Sequence, residues 1–219
     1  MERYEKPVLF SLLIPIFLLY ATFLWLDVTA LGYGLSVPYL KYASIVLCLI
    51  LGGTGFVLSI NKHDSAHVFL ALSLTVVADA FLLLYHRHTV GIFVFMLVQL
   101  IYIKRYDENV FKKVVWLVPI ALILNVFGVG NPRNIFALTY GALILTTFVT
   151  TFKTTLPMPN VRYVQIGMVL FILCDIHVAL FNILPRSASY FGIASVAIWF
   201  FYVPAQVLLA LSGWHLSER

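Results

Sequence analysis

Long uncharged apolar runs, separated by short polar breaks, recur from one end of the chain to the other. Each is close to the ~20 apolar residues that a helix needs to cross a hydrocarbon core. Eight runs are read as spans: Pro7–Leu26, Pro38–Ile60, Ala66–Tyr85, Thr89–Ile103, Val114–Gly130, Ile135–Phe152, Tyr163–Leu184 and Tyr190–Gly213. The fourth is short and is extended to Tyr106, with Lys104 and Arg105 snorkelling to the interface. The first resembles a signal peptide with Ala30 at the cleavage site, but its apolar core exceeds the roughly 7–15 residues of such a segment. The predicted fold class is all-α: a polytopic membrane helix bundle of about eight transmembrane helices, forming one membrane domain over residues 1–219.

Composition agrees with this pattern. The chain is 62% hydrophobic and only 11% charged, against roughly 25% charge in soluble domains. A soluble domain, a disordered chain and a disulfide scaffold are all excluded. The net charge of +5 sits in short loops between the apolar runs, so it reports membrane topology rather than nucleic-acid binding. With a cytoplasmic N-terminus, Arg3, Lys6, Lys62, Lys104, Arg105, Lys112, Lys113, Lys153, Arg162 and Arg219 fall inside. Lys41, Arg87, Arg133 and Arg186 fall outside. This bias predicts both termini in the cytoplasm. Trp25, Tyr39, Tyr85 and Tyr190 then mark the outer interface, and Tyr106, Trp116, Tyr163 and Trp214 the inner one. Cys48 and Cys174 lie within apolar runs with no metal-type spacing, and no HExxH pairing occurs, so no metal and no cofactor is expected.

Almost all of the charged residues lie at termini, in loops or near span ends; Lys41, three residues into its helix, is expected to snorkel. The exceptions are Asp79 in the third span and Asp175 in the seventh. Such a group at a helix centre costs on the order of 2.5–3.5 kcal/mol and marks a functional site by default. Asp79 lies thirteen residues after Ala66, and Asp175 thirteen after Arg162. At 1.5 Å per residue each sits roughly 20 Å from its helix start, which puts both carboxyls in one layer. Two carboxyls that share a low-dielectric layer titrate as a coupled pair, as acid/base chemistry requires. The remaining intramembrane polar residues are placed by helical spacing. Asn182 shares the face of Asp175, and Thr75 that of Asp79. Gln99 pairs with Tyr102, and Tyr202 with Gln206. His177, two residues from Asp175, points elsewhere.

The segment Ala78–Tyr85 aligns weakly with Cys174–Phe181, and each is followed one helix later by an intramembrane glutamine, Gln99 or Gln206. This predicts two four-helix halves related by an axis along the membrane normal, with the third, fourth, seventh and eighth helices converging on one site.

At these residues the chain resembles the YhhN-like lysoplasmalogenases. The matching stretches are ADAFLLL at 78–84, GIFVFMLVQLIY at 91–102, GMVLFILCDIHVALFN at 167–182 and WFFYVPAQVLLALS at 199–212. The chain departs from the family pattern at Ala78, Cys174 and Gln99, where Gly, Ser and His are usual. The resemblance implies a membrane enzyme of about eight helices that hydrolyses the vinyl ether bond of lysoplasmalogens. The products are a fatty aldehyde and a glycerophospho-ethanolamine or -choline, and the partner is a lysophospholipid from the bilayer. Asp79 and Asp175 match the family's two acidic positions, and Asn182, Tyr202 and Gln206 its other polar positions. Gln99, Tyr102 and these three are expected to bind substrate.

Vinyl ether hydrolysis needs a protonated acid and a group beside the developing cation. Asp79, flanked by Val76, Val77, Leu82 and Leu83, is expected to be the acid, and Asp175 the ionised partner. Arg87, Arg133 and Arg186 are candidates to meet the lipid phosphate. The same aspartates also suit a proton-coupled small-solute or lipid transporter. An intramembrane aspartyl protease is disfavoured because neither aspartate lies in a GxGD motif.

Overall fold

The computed structural model describes residues 5–29, 37–188 and 190–215. Arg3, Ala30 and Arg219, used above for topology and processing, lie outside the described residues. Every element among the described residues is helical: α1 (Glu5–Thr29), α2 (Val37–Leu58), α3 (Lys62–Asp79), a π-helical turn (Ala80–Leu84), α4 (His88–Tyr106), α5 (Glu108–Val114), α6 (Leu117–Val126), α7 (Pro132–Thr150), α8 (Asn160–Ile183) and α9 (Tyr190–Leu211). Seven helical segments are long and apolar enough to cross a membrane. The predicted sixth span is a helix of 19 residues, α7, but it is not among those seven. Arg133 and Asn134 in its first turn dilute its apolar character.

Local chemistry sets the helix ends. The Asn61 side chain accepts from the Asp64 backbone N–H (3.1 Å) at the start of α3. Asp107 does the same for Asn109 and Val110 at the start of α5. Asn131 accepts from the Arg133 N–H, with Pro132 in the first turn of α7. Between α6 and α7, Gly128 and Gly130 take φ of +67° and +80°, where a side chain would strain the turn. The predicted fifth span, Val114–Gly130, corresponds to α6 and ends short of its predicted limit, at Val126; α5 precedes it across a break at Val115–Trp116, and Pro119 falls in the first turn of α6. A proline is tolerated there because the N–H it lacks has little to pair with.

Packing follows chain order and then closes. α2 packs on α3, α3 on α4, α4 on α7, α7 on α8, α8 on α9, and α9 back on α2. The result is a ring of six helices, with α3 and α9 also touching. α1 lies outside the ring against α2 and α9, and α6 lies outside against α7. Pro204 in α9 has no N–H to offer the Phe200 carbonyl one turn back, and Tyr20 of α1 donates its hydroxyl to that oxygen instead (2.9 Å). The outward surface is apolar: Phe10, Phe17, Trp25, Val126, Leu138 and Ile183 are all more than half exposed. That is what a helix bundle solvated by lipid presents.

Several residues expected at the interface turn inward. Lys41 does not snorkel: it is buried, 2.8 Å from Asp27, and lies over the Trp199 ring at 5.1 Å. Its compensating charge on α1 makes burial tolerable. Arg105 does not snorkel either, whereas Lys104 is exposed. Arg105 grips the Asp64 carboxylate with two bonds (2.8 and 2.7 Å) and also donates to the Ser212 hydroxyl and carbonyl. Tyr106 and Trp214 are likewise buried, and Trp214 donates its indole N–H to the Leu51 carbonyl (3.1 Å).

Candidate active site

The π turn begins directly after Asp79, where the Tyr85 N–H reaches back to the Ala80 carbonyl (3.1 Å) rather than keeping the α register. Such single turns occur frequently at functional sites. Asp79 faces into the ring and is 3% exposed. The Tyr202 phenol of α9 donates to its Oδ2 at 2.7 Å. It is a direct side-chain bond between α3 and α9, which touch across the bundle.

Asp175 is half-buried on α8. The Tyr140 phenol of α7 donates to its Oδ2 at 2.6 Å. Each aspartate therefore carries one short phenol hydrogen bond from a different helix. The two pairs are joined through packed rings: Tyr140 to Phe95 (6.1 Å between centroids), Phe95 to Phe171 (6.1 Å) and Phe171 to Tyr202 (5.6 Å). Cys174, buried at 3% exposure, directly precedes Asp175 on α8. Measured from the helix starts Lys62 and Asn160, the two carboxyls stand roughly 22–25 Å along their axes, within about one turn of a common depth.

The other expected residues divide into two groups. Gln99, Tyr102 and Gln206 are fully buried inside the ring, and their side-chain polar atoms have no hydrogen-bond partner. Gln99 lies close to the Tyr140 phenol without closing a bond. Asn182 is not drawn into the site: it is exposed and donates to the Val178 carbonyl of its own helix (2.8 Å). The same α-helical period that put it on the face of Asp175 also carries it two turns beyond that residue, to the helix end. Thr75 bonds the Ala71 carbonyl of its own helix (3.0 Å). His177 points away from Asp175 as expected, bonded to Leu173 O (2.7 Å) and packed on Phe201. Arg87, Arg133 and Arg186 are all exposed.

Tyr140 is the residue that sequence reasoning missed. It is the single tyrosine of α7, in mid-helix, away from the interfacial positions where aromatics collect. That depth was the available signal. No group of three or more His, Cys, Asp or Glu able to hold a metal occurs among the described residues.

A family model described as the YhhN family matches residues 38–213. That stretch runs from the first turn of α2 to just beyond α9 and leaves out α1. No curated protein and no solved structure gives a match.

Proposed function

Because the chain belongs to the YhhN family, we propose that it is a membrane hydrolase that cleaves the vinyl ether bond of lysoplasmalogens. The observation that carries this reading is the pair of inward-facing aspartates, each hydrogen-bonded by one phenol, inside a closed helical ring. Two carboxyls held on separate helices supply an acid and a base without a nucleophile, and vinyl ether hydrolysis needs no nucleophilic residue.

The steps balance as follows. Asp79 gives its proton to the β-carbon of the vinyl ether, and the oxygen-bearing carbon becomes an oxocarbenium ion. Asp175, ionised, faces that cation and takes a proton from the water that adds to it. The hemiacetal then collapses: its hydroxyl returns a proton to Asp79 while Asp175 protonates the departing glycerol oxygen. Fatty aldehyde and glycerophospho-alcohol leave, and both carboxyls regain their starting states. Asp79 is assigned the acid because it is the more deeply buried of the two. Burial favours the neutral form of a carboxyl. Gln99, Tyr102 and Gln206 orient the glycerol end or the water. The substrate is a single-chain lysophospholipid drawn from a bacterial plasma membrane, with both protein termini on the cytoplasmic side.

The test is aldehyde release from lysoplasmenyl-ethanolamine by detergent-purified protein, with an ester lysophospholipid as control. Turnover of the vinyl ether alone, lost in both Asp79→Asn and Asp175→Asn, supports the reading. Folded protein without turnover refutes it and directs attention to proton-coupled transport through the same aspartates, measured as flux into liposomes.

A further inference from the structure

Seven buried side-chain nitrogen and oxygen atoms lack a hydrogen-bond partner among the described residues. Six of them belong to Gln99, Tyr102, Tyr106 and Gln206. The seventh, on Asp27, is already ion-paired with Lys41. Unpartnered polar atoms are uncommon in protein interiors, and a cluster of them calls for an explanation.

Their placement is not scattered. Gln99, Tyr102 and Tyr106 lie on α4 at spacings of three and four residues, which puts them on one face, one above the other. At the upper end Gln99 adjoins Tyr140, and Tyr140 holds Asp175. At the lower end Tyr106 stacks on Tyr102 (6.0 Å) and lies against the Arg105 guanidinium (5.4 Å). Arg105 holds Asp64, and His215 meets the same carboxylate at 2.6 Å. On α9, Gln206 follows Tyr202 by one helical turn, toward the same end. A line of groups that can both donate and accept therefore leads from the two aspartates to the Arg105–Asp64–His215 cluster.

We propose that Gln99, Tyr102, Tyr106 and Gln206 line an internal file of water that connects the aspartate layer with the Arg105–Asp64–His215 end of the bundle. Water is the ligand that fits: each group has unused donor or acceptor capacity, none of the four side chains is charged, and buried waters bond groups of this kind. A bare cation would need several carboxylate or carbonyl oxygens together, and the two glutamines, on different helices, supply one each. The inference deepens the hydrolase reading by giving the second substrate, water, a route that does not cross lipid. It does not depend on that reading, because a carrier that moves protons needs the same file.

The experiment is X-ray hydroxyl-radical footprinting of the full-length protein in nanodiscs, in ¹⁸O-labelled water and without substrate. Modification is read by mass spectrometry and normalised to the same residue in the denatured chain. Tyr102 is fully buried, so without internal water it should be as protected as Phe23 and Phe171, which are equally shielded. The expected result is ¹⁸O incorporation at Tyr102 and Tyr106 several-fold above those two phenylalanines. Gln99→Leu combined with Gln206→Leu should lower it in protein whose melting temperature is preserved. Protection of Tyr102 and Tyr106 equal to that of Phe23 and Phe171 in the unmodified protein overturns the file, whatever the variants do. A positive footprint in protein that releases no aldehyde keeps the file and removes the hydrolase.

Discussion

Asp64→Asn removes one charge from a buried cluster while leaving the side-chain shape almost unchanged. The Arg105 side chain is 0% exposed, and its guanidinium is compensated by both oxygens of Asp64. The Ser212 hydroxyl and carbonyl remain as partners but carry no charge. Leaving one member of a buried ion pair unpaired costs about 3–5 kcal/mol. In a chain of this length each kcal/mol corresponds to roughly 2–4 °C in melting temperature. The variant should therefore melt at least ~6 °C lower. Cys48 and Cys174, at 0% and 3% exposure, provide a built-in reporter: a thiol-reactive dye added to detergent-solubilised protein reads their exposure during a thermal ramp. Adding Arg105→Met should restore about half of the loss, because the stranded charge goes while its apolar volume stays. A double variant that melts no higher than Asp64→Asn alone would refute the claim that an unpaired guanidinium is what destabilises it.

Other variants test other parts of the structure. Tyr140→Phe deletes the 2.6 Å bond to Asp175; a hydrogen bond to a charged group is worth about 1.5–3 kcal/mol, so aldehyde release should fall roughly tenfold or more and the melting temperature should drop by at least ~3 °C. Unchanged kcat would show that the phenol has no role in turnover. Gly91→Ala would set a methyl group 2.6 Å from the Leu82 side chain and 3.2 Å from the Ala78 carbonyl, pressing on the turn that presents Asp79. Overpacking of this kind costs about 1–3 kcal/mol, visible as a lower melting temperature, and an unshifted melt would mean that Leu82 yields freely. Lys41, ion-paired and buried, should resist an amine-reactive acylating reagent that labels exposed Lys113, and equal labelling of the two would contradict the inward placement of Lys41.

Much of the architecture was legible because a membrane imposes one rule on every run: about twenty apolar residues, then a polar break. The helix ends fall within a few residues of where those breaks lie. The rule fails where apolarity continues but the backbone does not, as at Val115–Trp116 inside VVWLVPI. It also fails where a charge is buried by a partner distant in sequence. Arg105 and Lys41 look like interfacial residues until Asp64 and Asp27 are placed beside them. Asp79 and Asp175 stood out because no loop could claim them. Tyr202 was found with them, but Tyr140 was not, since a phenol in an apolar helix is unremarked until its acceptor on the next helix is known. Asn182 illustrates the converse: shared face is a statement about angle, and its height on the helix removed it from the site.

The order in which the buried charges find partners bears on how this chain enters a bilayer. Asp64 and Arg105 lie on α3 and α4, which follow one another and pack together, so that hairpin can leave the translocation machinery with its two charges already neutralised. Asp79 has no such neighbour. Its phenol comes from α9, synthesised more than a hundred residues later, and the same helix closes the ring against α2. During synthesis the aspartate layer is therefore an unfinished surface that membrane chaperones and proteases can recognise, and insertion of the last helix is the event that hides it. Substitutions in α9 should then act on the amount of protein in the membrane as well as on its chemistry, and the two effects separate when activity is expressed per folded molecule.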